Sequence, residues 1–285
     1  MAIASPASAV DPALVEGAKA ALEAEGFRVR VMPHACGRVG TYSALAEERL
    51  ADLQGALDDP EVRAVLCARG GYGAVQLLDR LRLSEEPKWI IGFSDISALH
   101  GFWLANGVHS IHGSMAKELT LRRCPGDEAN KRLLQILRTG DMPAICWDAN
   151  ALNHPGEATG QLMGGNLAVL DGLCGTPYDL LRPDVILVIE DIAEPIYKVE
   201  RILWRLRLSG VLPRLKGLIV GQFTEYRPDA NYETMERMIA DMVAPYDYPV
   251  AFNAPIGHVD ANLPWVEGVE VRLRVDASGV TLQAL

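Results

Sequence analysis

The first third of the chain alternates short apolar runs with amphipathic stretches, and this order constrains the fold more than any other feature of the sequence. The apolar runs AIAS, FRVRVM, VRAVLCA and KWIIGF have the composition of strands. The stretches PALVEGAKAALEAEG, ALAEERLADLQGAL and AVQLLDRL have the apolar spacing of helices, and Asp11 and Gly26 bound the first of them. This βαβα order predicts a parallel sheet with right-handed crossovers.

The alternation breaks between about residues 125 and 160, where prolines and glycines surround a single predicted helix. We therefore predict an α/β protein with a Rossmann-like parallel-sheet domain over 1–145 and a smaller α/β domain over 146–285. In the second domain we predict strands at VILVIED, GLIVGQF and PVAFNAP and helices at KVERILWRLRLSG and NYETMERMIADMVA. The C-terminal VEVRLRVDASGVTLQAL predicts a hairpin that turns at Ala277-Ser278-Gly279.

Composition excludes several classes of protein. The chain has 285 residues, of which 49% are hydrophobic and 22% charged, as expected for a globular protein with a large core. Its net charge of -10 opposes nucleic-acid binding, which depends on basic surfaces. No apolar run approaches the roughly 18 residues of a membrane span, and the first residues lack the basic segment of a signal peptide. The five scattered cysteines indicate reduced thiols in the cytoplasm: Cys36, Cys67, Cys124, Cys146 and Cys174.

A glycine-rich turn, RGGYG at residues 69–73, lies between a predicted strand and a predicted helix. Such turns present backbone N–H groups near a positive helix end, which favours anion binding. The spacing does not match the dinucleotide-binding fingerprint, because Gln76 stands where a glycine or alanine is required. The alternative is a tight turn that uses glycine only for its backbone angles, and the segment alone leaves both interpretations open.

A second strand-to-helix turn, in KWIIGFSDISALHGF, contains Ser94. A nucleophile elbow places a serine hydroxyl at such a turn, where the following N–H can hold developing negative charge. The sequence GFSDI matches only the first half of the G-x-S-x-G motif, because Ile96 replaces the last glycine. Serine is also a favoured helix N-cap, so the motif alone allows either role.

A serine nucleophile requires a base and an acid that orients the base. His258 lies in APIGHVDANLPWVEG, a loop after a predicted strand, where catalytic groups are common, although a surface histidine is the alternative. Glu190 ends the apolar strand VILVIED, where a carboxylate is costly to bury without a partner. Asp191 is the better candidate for a helix cap. The chain order Ser94, Glu190, His258 is one of the known orders for such a triad.

The other histidines give no metal-ligand pattern. His100 falls inside the helix that follows Ser94, and we expect it to be a partly buried helix residue. His109 and His112 form an H-x-x-H pair, but no carboxylate stands at metal-ligand spacing. The sequence therefore predicts neither a metal site nor a cofactor.

Several segments together resemble the LD-carboxypeptidase family of serine peptidases, which also includes the microcin-immunity peptidases. The resemblance spans residues 2 to about 270. It rests on seven segments in the same order: ASPAS, EERLADLQGALDDPEVRAVLCARGGYG, IIGFSDISALH, IHGSM, GQLMGGNLAVLDGLCGTP, LVIEDIAEPIYKVERIL and NAPIGHVDANLPW. One departure is Ser114 in IHGSM, where many relatives have proline, and this argues against a pocket role for His112.

The resemblance implies a role for each candidate residue. Ser94 would be the nucleophile, Glu190 the orienting acid and His258 the base. The backbone N–H groups of Gly71 and Asp95 would form the oxyanion hole. The resemblance also implies that the first domain carries the nucleophile, that the second carries the acid and base, and that the enzyme is a homodimer.

The implied reaction is the release of terminal D-alanine from murein tetrapeptides during cytoplasmic peptidoglycan recycling. Arg69, Lys198 and Arg201 are candidates for the substrate carboxylate because they lie near the motifs. One alternative is a microcin-immunity peptidase that cleaves peptidyl or aminoacyl nucleotides, but the segment between Ser94 and Glu190 leaves little room for its extra nucleotide-binding loop. The other alternative is a non-catalytic protein that binds a small anion at RGGYG.

Overall fold

The computed structural model describes residues 1–121 and 127–285, so Cys124 lies outside the described residues. The chain divides into two compact units. The first comprises residues 1–140 and 263–267, and the second comprises residues 141–262 and 268–285. The predicted boundary after residue 145 stays a prediction. The segment 263–267, which the sequence analysis placed in the second domain, belongs to the first unit because its strand pairs there.

The strands, in chain order, are β1 (Ala2–Ala4), β2 (Arg30–Val31), β3 (Ala64–Cys67), β4 (Trp89–Gly92), β5 (Ser110–His112), β6 (Ile145–Trp147), β7 (Gly156–Asn166), β8 (Ile186–Ile192), β9 (Gly217–Thr224), β10 (Val250–Ala251), β11 (Trp265–Glu267), β12 (Glu270–Asp276) and β13 (Gly279–Ala284). The α-helices of the described residues are α1 (Pro12–Ala24), α2 (Ala46–Asp58), α3 (Ser97–Ala105), α4 (Ala116–Leu121), α5 (Glu128–Thr139), α6 (Leu167–Asp171), α7 (Ile196–Leu208) and α8 (Met235–Val243).

The first unit is built on a six-stranded sheet with the order β11-β5-β4-β3-β1-β2. Strands β1 to β5 are parallel, and β11 pairs antiparallel with β5 at one edge, with Trp265 opposite His112. The order 2-1-3-4-5 of the parallel strands is that of a doubly wound sheet, in which binding groups gather at the carboxyl ends of strands. The predicted parallel α/β architecture is therefore confirmed.

Local sequence explains most elements of the first unit. Asp11 accepts a hydrogen bond from Ala13 N at 2.9 Å, and Pro12 occupies the first turn of α1, as predicted for a capped helix. Strands β1 and β3 are buried along their whole length, which is why their sequences are continuously apolar rather than alternating.

The predicted helix AVQLLDRL is wrong, because only Ala74–Leu77 is helical and it forms a single 3₁₀ turn. Two contacts from outside the segment fix its start. Asp95 accepts a hydrogen bond from Ala74 N, and Arg49 donates one to Gly73 O. Gly73 offers no side-chain cap, and so short a stretch does not meet the cost of nucleating an α-helix.

Two predicted strands are shorter than their apolar runs suggest. In FRVRVM only Arg30–Val31 pairs, because β2 is an edge strand that meets β1 alone. In PVAFNAP only Val250–Ala251 pairs, because the backbone of Asn253 turns to a φ of 59° and leaves the extended conformation.

The second unit contains a seven-stranded sheet with the order β10-β9-β8-β7-β12-β13-β6. Strand β7 joins its two halves, because it pairs antiparallel with β12 at its start and parallel with β8 at its end. No strand was predicted for residues 156–166, so β7 was missed. The segment GEATGQLMGGN is rich in glycine, and glycine is depleted in strands.

The remaining predictions for the second unit are confirmed. VILVIED and GLIVGQF form β8 and β9. Helix α8 lies within its predicted segment, and helix α7 begins at Ile196, two residues before the predicted start at Lys198. Strands β12 and β13 form the C-terminal hairpin, with Asp276 opposite Gly279. No helix among the described residues combines the length and the apolar character needed to cross a membrane.

Candidate active site

Ser94 lies at a sharp turn directly after strand β4. It begins a 3₁₀ turn, Ser94–Ile96, which continues into α3. Its φ of 64° is in the left-handed region, which is costly for any residue other than glycine and is common at functional sites. The cap position of α3 is Ile96 and carries no side-chain hydrogen bond, so Ser94 is not the N-cap of that helix. The half-buried serine therefore has the geometry of a nucleophile elbow.

The glycine-rich turn packs directly against this elbow. A Cβ atom placed on Gly70 would lie 2.9 Å from Ser94 Cβ, 3.1 Å from Ser94 Oγ and 3.2 Å from Asp95 N. The next residue, Gly71, has a φ of 99°, and a Cβ there would meet Ser8 Oγ at 2.3 Å. Both positions therefore require glycine, because a Cβ atom on Gly70 would clash with Ser94 and one on Gly71 would clash with Ser8. The turn and the elbow are brought together, whereas the oxyanion role of the Gly71 and Asp95 N–H groups stays a prediction.

The side chain of Asp95 fastens the turn to the elbow. Its Oδ2 atom accepts a hydrogen bond from Ala74 N at 2.9 Å. Burial raises the pKa of Asp95 to about 6, while the N–H groups of Ala74 and Gly73 and the charge of Arg49 act in the opposite direction. The carboxylate is therefore charged at neutral pH and holds the turn in place.

Arg69 is the first residue of the glycine-rich turn and is exposed. Its Nη1 atom donates a hydrogen bond to Ala9 O at 2.8 Å. The rest of the guanidinium still has donors for an anion, because arginine carries five N–H groups.

In the second unit, His258 and Glu190 form a hydrogen-bonded pair. His258 Nδ1 lies 2.8 Å from Glu190 Oε2, and the glutamate is fully buried while 16% of the histidine side chain is exposed. An ionised carboxylate only accepts hydrogen bonds, so the Nδ1 atom donates. In the neutral imidazole the lone pair then lies on Nε2, which is the arrangement of a general base oriented by an acid.

The loop that carries His258 is fixed by its neighbours. Gly257 has a φ of 120°, and a Cβ there would lie 3.0 Å from Glu190 Oε2. Gly257 N donates to Asn262 Oδ1 at 2.9 Å, and Gln222 N donates to Ile256 O at 2.8 Å. The glycine before His258 thus lets the backbone pass beside the buried glutamate.

Comparison with known proteins places these features in a family. The model of the LD-carboxypeptidase N-terminal domain matches residues 1–113, and the model of its C-terminal domain matches residues 159–273. The chain belongs to the LD-carboxypeptidase family. The resemblance inferred from the seven sequence segments is therefore confirmed.

Two relatives cover nearly the whole of this LD-carboxypeptidase. It is 34% identical to the murein tetrapeptide carboxypeptidase of Pseudomonas aeruginosa, over 94% of this chain and 91% of the relative. It is 29% identical to the probable murein peptide carboxypeptidase of Bacillus subtilis, over 98% of this chain and 90% of the relative.

Two solved structures have the same fold. The crystal structure of muramoyltetrapeptide carboxypeptidase from Oxalobacter formigenes matches with a TM-score of 0.87 and 27% identity, covering 100% of this chain and 99% of that one. The structure of MccF in complex with glutamyl sulfamoyl guanosine also has a TM-score of 0.87, at 18% identity, covering 100% of this chain and 95% of that one. At that identity the second match shows the fold alone.

The two adjacent acids of this LD-carboxypeptidase have different partners. Asp191 accepts hydrogen bonds from Asn166 Nδ2, the N-cap residue of α6, at 2.9 Å and from Ala168 N in the first turn at 2.8 Å, so it holds the start of α6. Burial raises the pKa of Asp191 to about 6, and the neighbouring charge of Glu190 acts in the same direction. Glu190 contacts His258, and Asp191 anchors the backbone.

Lys198 and Arg201, two candidates for the substrate carboxylate, lie on helix α7 with local partners. Lys198 Nζ is 3.4 Å from Glu194 Oε2, and the Arg201 guanidinium lies 5.5 Å from the centre of the Tyr197 ring. Among the described residues, neither has a hydrogen bond or ion pair with Glu190 or His258. Their role toward substrate stays a prediction.

The first unit also contains a buried cluster of potential ligands that was not predicted from the sequence. The potential ligand atoms of His100, His112 and Glu267 lie within 4.8 Å of one another, and all three residues are buried. The H-x-x-H spacing of His109 and His112 does not indicate this cluster, because His109 is not a member of it. The other two members of the cluster, His100 and Glu267, lie in α3 and β11, which the sequence separates widely.

His100 itself has a partner at each ring nitrogen. Its Nδ1 atom lies 2.8 Å from Ser110 Oγ, and its Nε2 atom lies 3.0 Å from Gly92 O. Burial lowers the pKa of His100 to about 4, and the bond to Gly92 O acts in the opposite direction. The imidazole is therefore neutral at physiological pH.

We expect this histidine to make the protein less stable in mild acid. In the unfolded chain the pKa of His100 returns to its ordinary 6.5, so between pH 7 and pH 5 the unfolded state gains a proton that the folded state does not. Unfolding is thus favoured as pH falls, by about 2 kcal/mol over this interval. The measurement is the free energy of unfolding of the wild type minus that of His100→Gln at several pH values. A difference that does not change with pH would contradict the expected titration.

We expect Glu190→Gln to reduce kcat by about 100-fold or more, because in a serine triad the charge of the orienting carboxylate stabilises the imidazolium, and the amide carries no charge. The effect should still be smaller than that of removing the serine hydroxyl, since the attacking group remains. The control is Asp191→Asn, which disturbs the anchor of α6 and should mainly lower the melting temperature. Wild-type kcat in Glu190→Gln would instead point to Asp191 or another acid.

Proposed function

We propose that this protein is a serine-type carboxypeptidase that releases terminal D-alanine from murein tetrapeptides by hydrolysing their L,D bond. The observation that carries the proposal is the His258–Glu190 pair, in a chain that matches a murein tetrapeptide carboxypeptidase over 94% of its length. The strained backbone at Ser94 supports the assignment of the nucleophile.

In the proposed reaction Ser94 Oγ attacks the carbonyl carbon of the scissile bond, and His258 Nε2 takes the hydroxyl proton. Glu190 holds the imidazole and balances its positive charge. The N–H groups of Gly71 and Asp95 stabilise the oxyanion. When the tetrahedral intermediate collapses, His258 gives its proton to the leaving D-alanine amine. A water molecule, deprotonated by the same histidine, then hydrolyses the acyl-enzyme and regenerates Ser94.

Recognition of the terminal carboxylate falls to local donors in this proposal. The net charge of -10 does not attract an anionic peptide from a distance. Arginine can hold a carboxylate with two parallel hydrogen bonds, and this favours Arg69 and Arg201 over Lys198, which is already paired with Glu194. The proposal also retains the cytoplasm as the location and the homodimer as the assembly that the family resemblance implies.

The experiment that tests the proposal compares two substrates. The purified enzyme is incubated with an L,D-tetrapeptide of murein and, separately, with glutamyl sulfamoyl guanosine, and the released D-alanine or glutamate is measured. We expect turnover of the tetrapeptide and little or none of the nucleotide. The reverse result would select the microcin-immunity type of peptidase. Binding of the tetrapeptide with no turnover of either compound would select a non-catalytic binding protein.

A further inference from the structure

The carbonyl oxygen of Gly92 accepts two hydrogen bonds at the point where strand β4 ends. His100 Nε2 donates to it at 3.0 Å, and Gly113 N donates to it at 3.1 Å. Gly92 stands two residues before Ser94, so these bonds fix the backbone on the N-terminal side of the elbow. One bond comes from the neighbouring strand region, and the other comes from helix α3.

The direction of each proton around His100 follows from its partners. A carbonyl oxygen only accepts, so Nε2 carries the proton that is shared with Gly92 O. Nδ1 is then an acceptor, and the Ser110 hydroxyl donates to it at 2.8 Å. His100 is fully buried, which leaves no water to replace either partner.

This arrangement closes a loop around the strained residue. The chain leaves β4 at Gly92, turns through Ser94 at a φ of 64°, and enters α3. Within α3, His100 reaches back to the Gly92 carbonyl. A residue in a sparsely populated backbone region keeps its conformation only when its surroundings hold both flanks, and here a single side chain joins those flanks.

We propose that His100 is a positioning residue for Ser94: its Nε2–H bond to the Gly92 carbonyl holds the elbow in the conformation that presents the serine hydroxyl. The inference rests on the proposed function for its nucleophile. His100 acts through the backbone and not on substrate.

The neighbouring His112 and Glu267 raise the possibility of a metal ion shared with His100. Both nitrogens of His100 are already engaged, with Ser110 and with Gly92, so a metal would have to displace one of these bonds. The geometry therefore assigns His100 to hydrogen bonding, and bound metal is an outcome that the experiment must test.

The test uses two substitutions of His100 by amide side chains, each of which can replace only one of the two imidazole nitrogens as a hydrogen-bonding group. In His100→Gln the side-chain amide can reach the position of Nε2 and donate to Gly92 O. In His100→Asn the shorter amide can reach only the position of Nδ1 and keeps Ser110 as its partner. The readouts are the labelling rate of Ser94 by a fluorophosphonate, which needs no peptide substrate, and kcat and KM for the tetrapeptide. Leu99→Ala, at a fully buried position of the same helix, is the control for lost stability.

We expect His100→Asn to slow labelling and kcat by between about 10- and 100-fold with little change in KM, because a small misplacement of a reacting atom has effects of this size. His100→Gln should stay within a few-fold of the wild type. Leu99→Ala should lower the melting temperature without slowing the labelling.

Equal labelling rates in the Asn variant and the wild type would overturn the inference, as would equal slowing in the Asn and Gln variants or slowing of the same size in Leu99→Ala. A wild type that is not labelled at Ser94 would overturn it together with the nucleophile. A stoichiometric metal ion in the wild type that is lost in His100→Gln would replace hydrogen bonding with ligation. If the wild type is labelled but releases no D-alanine, the proposed substrate fails and the positioning role remains.

Discussion

Ser94→Ala should leave a folded protein with almost no release of D-alanine. The substitution removes only the Oγ atom and keeps the Cβ that packs near Gly70, so the close approach of the glycine-rich turn is preserved. Alanine meets the same left-handed φ of 64° as serine, and we expect stability within about 1 kcal/mol of the wild type. Loss of the nucleophile should lower kcat on the order of 10⁴-fold or more.

The matched control is Ser97→Ala, a fully buried serine three residues further along the same strand-to-helix segment. It removes the same atom type, and kcat should remain within the order of magnitude of the wild type. Thermal unfolding of both variants separates lost chemistry from lost structure. More than a few per cent of wild-type kcat in a folded Ser94→Ala would mean that another group attacks the carbonyl.

The second large effect is expected on turnover when the C-terminal carboxylate of the tetrapeptide is replaced by an amide. A carboxypeptidase holds a free terminal carboxylate with donors in a desolvated site, and an amidated end leaves those donors unpaired. Sites built in this way reject a substrate that lacks the recognised group by large factors. We expect turnover of the amidated tetrapeptide to fall on the order of 10³-fold or more.

The enzyme should also discriminate between an L and a D centre on the acyl side of the scissile bond. The oxyanion donors fix the carbonyl oxygen and the elbow fixes the line of attack, so a D centre on the acyl side directs its side chain differently. We expect D-alanine from the L,D-tetrapeptide and little or none from a pentapeptide that ends in a D,D bond. Comparable release from the D,D peptide would contradict the L,D specificity and leave the serine mechanism standing.

The three candidate catalytic residues could be found from sequence because each lies in or after a recognisable strand. Ser94 follows KWIIG, Glu190 ends VILVIE, and His258 lies in a loop punctuated by glycine and proline. Whether Glu190 or Asp191 faces His258 could not be decided in the same way. Adjacent residues of a strand point to opposite faces, and the register of β8 against β9 shifts between Ile189 and Asp191. That shift depends on pairing, which the sequence of one strand does not contain.

The departure from the G-x-S-x-G motif also has a structural reason. A Cβ on Gly92 would lie 2.9 Å from the Ile96 side chain, so the isoleucine packs directly over the glycine that precedes the elbow. The segment AVQLLDRL could not be predicted correctly from its apolar spacing, which favours an α-helix, whereas only a 3₁₀ turn forms. Its start is held in another conformation by residues distant in sequence: Asp95 accepts a hydrogen bond from Ala74 N, and Arg49 donates one to Gly73 O.

Strand β11 makes the order of synthesis matter for the first unit. Its five-residue segment, 263–267, completes a sheet whose other strands are all made before residue 113, and residues 141–262, which belong to the second unit, are made in between. Until Trp265 leaves the ribosome, strand β5 has an unpaired edge and His112 lacks the indole ring that later stacks on it at 5.2 Å. During synthesis the first unit therefore keeps an open sheet edge until residues 263–267 have been made. Chaperone demand during translation should accordingly fall on the half that is synthesised first.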